Sequence, residues 1–188
     1  MSECRYDRVV LMGFEWYEPF TISFLERIVP EVLHIPAVFG QNLPLPSHAF
    51  NALRKQYLAS TFLEELMLYK GRSKDILLGV TGVDLFEPNL NFVFGIAVPY
   101  GVAVISTVRL HNEFYGLPKN EAIYLKRVAT EAIHDEIGHT LGLGHCPDPH
   151  CVMHFSNSLA DTDEKGYRFC PKCWSKAKKV LCIEDKLE

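Results

Sequence analysis

Residues 130–153 read TEAIHDEIGHTLGLGHCPDPHCVM, and metal-ligand side chains crowd them. His139, Gly142 and His145 form H-x-x-G-x-x-H. On a helix that ends at Gly142, the glycine permits a sharp turn that carries His145 back towards His139. A catalytic zinc takes three protein ligands and leaves a fourth position for water, so one more ligand is needed upstream. Glu136 stands three before His139, where the helical H-E-x-x-H arrangement has its general base. From there a glutamate accepts a proton from a zinc-bound water whose pKa the metal has lowered to about 7.

The upstream ligand has two candidates, because the ordinary His-Glu pair is split into His134-Asp135-Glu136. A helix turns about 100° per residue. Asp135, four before His139, therefore lies about 40° from it and shares its face, whereas His134, five before, lies about 140° round. Either Asp135 is the first ligand on a regular helix, or a single-residue π-bulge absorbs the extra residue and returns His134 to the metal. Imidazole is the better zinc ligand type and aspartate an accepted one. Bulges of this kind occur mostly at functional sites.

A second constellation follows directly. Cys146-x4-Cys151 and Cys170-x2-Cys173 flank a polar loop containing Asp161, Asp163 and Lys165. Two such pairs fit a tetrahedral structural zinc, which stabilises a segment with little core of its own. A redox dithiol at Cys170 and Cys173 is the competing reading, but no thioredoxin-like β-α pattern precedes it. Cys4 and Cys182 have no partners in the pattern and read as free thiols. His34 and His48 read as loop residues and His111 as a surface one, and His150 and His154 flank the cysteine cluster, a site that four thiolates already fill. The lysines of 172–186 read as a solvated face. Tyr115 and Tyr167 are oxyanion candidates that no spacing selects.

The elements that must position these side chains read as strand, helix, strand, helix, strands and helix. Strands are expected at 9–14, 32–39, 76–83, 92–98 and 102–110, and helices at 19–28, 49–70 and 119–142, with a short one at 174–183. Pro19 suits a first helical turn, and Pro36 puts the second strand at an edge or a bulge. The fold class is α+β, an α/β sandwich: a mixed twisted sheet under long helices, one of them metal-bearing. An irregular C-terminal zinc-binding subdomain follows about residue 142. Residues 1–188 read as a single domain made of these two subdomains.

With 188 residues, 48% hydrophobic and 22% charged, the chain has enough apolar surface for a sizeable core. Its net charge of −4 offers no basic face, which argues against a nucleic-acid partner. No apolar run spans a bilayer, and the N-terminus lacks a signal h-region. In a reducing compartment clustered cysteines favour metal over disulfide. The expectation is a cytoplasmic monomer without membrane partners.

From His139 to Cys173, HTLGLGHCPDPHCVMHFSNSLADTDEKGYRFCPKC resembles the signature of the archaemetzincins, a branch of the metzincin zinc peptidases. In that family H-E-x-x-H-x-x-G-x-x-H runs directly into C-x4-C-x-M and then C-x-x-C. Upstream, FGIAVPYGVAVISTVRL and EAIH resemble it too. The resemblance implies a metzincin-like fold and two zinc ions per chain. His139 and His145 would be catalytic zinc ligands, Glu136 the general base, and Cys146, Cys151, Cys170 and Cys173 the structural zinc ligands. Met153 would be the Met-turn residue, an apolar floor under the metal. EAIH meets His134 as it does in the family, which favours His134 and a bulge over Asp135. The implied activity is zinc-dependent hydrolysis of a peptide or protein, with residues 92–98 pairing with an extended substrate as an added strand. The alternative is a zinc-stabilised peptide-binding or pseudoenzyme domain in which the irregularity at 134–136 spoils the chemistry, because a shift near 1 Å can cost about 10²-fold.

Overall fold

The computed structural model describes residues 4–156 and 158–183, and at 135 and 136 the backbone alone. In chain order the elements are β1 (Arg8–Phe14), α1 (Pro19–Leu33), β2 (Ala37–Leu43), β3 (Phe50–Asn51), β4 (Gln56–Leu58), α2 (Ala59–Leu68), β5 (Asp75–Thr81), β6 (Leu85–Phe86), β7 (Gly95–Val98), β8 (Val102–Ser106), α3 (Glu121–Glu131), a π turn (Ala132–Gly138), α4 (Leu159–Glu164) and α5 (Pro171–Ala177). β1, β5 and β8 are apolar runs buried almost throughout, as strands covered on both faces must be. The main sheet has the order β2-β1-β5-β8-β7. Its pairs are parallel except β7, which returns antiparallel to β8 at the edge.

Alternation along the strands divides the core. Val9 and Leu11 of β1 face a cluster with α1, α3 and the π turn, whereas Val10 and Met12 face α2. The sheet is thus sandwiched, with α3 and the π turn on the α1 side.

Several boundaries differ from the sequence expectation. α1 continues past residue 28 to Leu33 with Pro30 inside it, because Val32 and Leu33 are buried. β2 begins after Pro36 and lies at the sheet edge. Of the helix expected over 49–70 only α2 forms; β3 and β4 pair ahead of it, and Leu53 is 98% exposed. β8 ends at Ser106 and is followed by a 3-10 turn. α4 had no clear periodic signal; the Ser158 side chain caps it by accepting from the Asp161 N–H.

Cys4 and Cys182 are not free thiols but form a disulfide. Their separation of 178 residues hides the pair from any spacing rule. A parallel bridge between Tyr6 and Leu181 brings the two ends together. No helix among the described residues is long and apolar enough to cross a membrane.

Candidate active site

α3 is capped by Asn120, whose Oδ1 accepts from the Ile123 N–H at 3.1 Å, and buries Tyr124, Arg127 and Val128. It passes into the π turn at Ala132–Gly138. Bonding from i to i+5 winds wider than an α-helix, so residues five apart return to one face and the extra residue is taken up there. The candidate ligand atoms of His134, His139 and His145 all lie within 4.8 Å of one another. His134 is 2% exposed. The side chains of Asp135, the other first-ligand candidate, and of Glu136, the candidate general base, lie outside the described residues.

The environment of His139 suits a metal ligand. Its Nδ1 lies 2.9 Å from the Leu143 carbonyl oxygen. A bond donated there leaves the Nε2 lone pair for a metal, the usual way a ligating histidine is oriented. Gly142, at φ +87°, makes the left-handed turn that brings His145 back. The His145 ring meets Phe155 edge-on at 5.2 Å. Beneath the turn, Met153 is fully buried, and a Cβ at Gly138 would run into its Sδ. The thioether thus packs directly on the helix backbone.

The loop after α4 contributes a residue that the sequence reading left on a polar loop. Lys165 is fully buried, with Nζ 2.9 Å from His134 Nδ1 and donating to the His154 carbonyl at 2.6 Å. α4 is held to α3 by Arg127, which forms a two-pronged pair with Asp163 at 2.8 and 2.9 Å. Arg127 also donates to the Leu110 carbonyl, and Thr162 Oγ1 donates to the buried Glu131. Local sequence reads Lys165 as solvated; only the Arg127–Asp163 docking reveals its burial.

The four cysteine sulfurs also lie within 4.8 Å of one another, and Cys146 Sγ is 3.9 Å from Cys170 Sγ. Tetrahedral zinc with bonds of about 2.3 Å has sulfur–sulfur edges of roughly 3.8 Å. Burial pushes the Cys151 and Cys173 thiols up, while the Cys173 N–H donating to Cys170 Sγ draws that thiol down. Tyr115 donates to the Arg109 carbonyl at 2.8 Å, and Tyr167 packs against the core. His111 stacks on Tyr124 at 3.9 Å and His34 meets Trp174 at 5.3 Å, so both have structural partners.

Comparison with known proteins identifies the family. The family model described as peptidase family M54 matches residues 35–179. An archaemetzincin of Pyrococcus furiosus is 50% identical over 137 residues, covering 72% of this chain and 71% of its own. The crystal structure of archaemetzincin from Methanopyrus kandleri superposes with a TM-score of 0.81 at 39% identity, covering 93% of this chain and 95% of the other. A zinc-dependent peptidase from Methanocorpusculum labreanum gives 0.79 at 31% identity, covering 89% and 99%. By motif, fold and relatives, the chain belongs to peptidase family M54, the archaemetzincin zinc metallopeptidases.

Proposed function

We propose that the chain hydrolyses peptide bonds with a catalytic zinc held by His134, His139 and His145, and that Cys146, Cys151, Cys170 and Cys173 hold a second, structural zinc. The observation that carries this is the convergence of three imidazoles despite the residue inserted between His134 and Glu136. Zinc at that position would lower the pKa of a water and polarise the scissile carbonyl. Glu136, three before His139 on the π turn, takes the proton from the attacking water and returns it to the leaving amine. The Leu143 carbonyl holds the His139 ring, and Met153 supports the helix from below. Among the described residues β7 pairs in the main sheet with β8 alone, so its outer edge offers backbone groups to an extended peptide or protein substrate.

The reading is of one catalytic domain, 1–188, acting as a cytoplasmic monomer, with subdomains meeting near residue 142. The Cys4–Cys182 disulfide runs against a reducing setting; intracellular proteins of hyperthermophiles are the known exception. The test is Glu136→Gln. It is expected to keep both zinc ions and abolish hydrolysis, and retained turnover refutes the assignment.

A further inference from the structure

We propose that the cavity between the two metal clusters is a subsite for a substrate carboxylate. This rests on the peptidase reading and names the substrate class. The cavity measures about 180 Å³ and is lined by Gly144, His145 and Pro147 from the turn, and by Lys172, Cys173 and Lys176 from α5. It is smaller than the roughly 300–1,000 Å³ of a pocket for a whole small molecule, and suits one side chain or chain end. His145 is both a wall of this cavity and a member of the histidine cluster, so the cavity adjoins the candidate catalytic site.

The charges point to the ligand. Lys172 and Lys176 are one helical turn apart, so their ammonium groups repel. Both are exposed, and neither forms an ion pair among the described residues. Lys172 also sits in the first turn of α5, where the helix dipole disfavours a cation. Lys176, in the last turn of α5, suits the helix dipole, whereas Lys172 gains nothing from the helix, and a carboxylate between them would pair with both. The competing task is to balance the charge of a zinc tetrathiolate, since Cys173 lines the same cavity.

The test uses peptides that differ only as Glu or Gln, each made as free acid and as C-terminal amide. Hydrolysis is followed with native protein, and binding by fluorescence anisotropy with Glu136→Gln protein. Native lysines are expected to favour one carboxylate form by about ten-fold or more. A Glu-over-Gln preference identifies an acidic side chain, and an acid-over-amide preference a chain terminus. Lys172→Gln/Lys176→Gln is expected to collapse that preference while zinc content at both sites is unchanged. Equal binding of all four peptides overturns the proposal. So does a preference that survives the double substitution, or a double variant whose only change is loss of cysteine-bound zinc. If no peptide is hydrolysed while binding still discriminates, the hydrolytic reading fails and the subsite stands.

Discussion

Gly138→Ala tests whether the π turn rests on Met153. At an ordinary helical position this change stabilises by about 0.5–1 kcal/mol, because alanine loses less backbone freedom than glycine. Here the added Cβ would collide with Met153 Sδ, and it would sit 3.0 Å from both Met153 Cε and the Ile133 carbonyl oxygen. The backbone oxygen cannot swing away, and Met153 is fully buried. Overpacking of this kind costs about 1–3 kcal/mol. For a chain of this size that lowers Tm by roughly 2–12 °C. Met153→Ala alone removes a fully buried side chain and costs about 2–5 kcal/mol. The double variant, freed of the sulfur clash, should fall short of the sum by about 1 kcal/mol or more, within the range seen for residues in contact. Thermal and denaturant melts of the four proteins measure the cycle. A stabilised Gly138→Ala, or additivity within about 0.3–0.5 kcal/mol, refutes the contact.

His134→Ala should weaken metal binding at the histidine cluster by more than the 10–100-fold typical of losing an outer partner, whereas Asp135→Ala should leave it unchanged. Chelator competition with zinc or cobalt measures both, and the reverse order would make Asp135 the ligand. Cys4→Ser/Cys182→Ser removes a link across 178 residues. Loop-closure entropy sets its contribution at up to about 5 kcal/mol, or roughly 10–20 °C in Tm. A shift near zero would mean that the Tyr6–Leu181 pairing already holds the ends.

The legible parts of the fold were those where one physical signal dominates. β1 and β5 are apolar runs in a fully covered sheet, and Pro36 marks the edge strand β2. The π turn was legible as one of two alternatives because an inserted residue has only two geometric outcomes on a helix. The region before α2 misled, since Leu53, Tyr57 and Leu58 mimic helical spacing while β4 is recruited by a strand 28 residues later. Lys165 and the Cys4–Cys182 disulfide were illegible for a related reason. Each depends on partners brought near only by tertiary docking, Lys165 through Arg127 and Asp163, and Cys182 through Tyr6.

The two clusters are best understood as one mechanical unit. His134 and His139 are placed by α3, the π turn and the sheet below, but His145 lies beyond the Gly142 turn and is exposed. Its position is set from the other side. The next residue, Cys146, contributes a sulfur to the cysteine cluster, and its N–H donates to the Met153 carbonyl at 2.8 Å. The Met153 N–H in turn lies 3.4 Å from Cys151 Sγ, while the Met153 thioether packs on Gly138. α5 has only seven residues, too few to hold a helix on its own, so Cys170 and Cys173 depend on the cluster and on the disulfide-tied end beyond them. Relaxing the cysteine cluster would therefore move both the third imidazole and the floor beneath the metal helix. Since a displacement near 1 Å at a reacting centre can cost about 10²-fold, the direct join at His145-Cys146 would make the proposed structural site part of the proposed catalytic geometry.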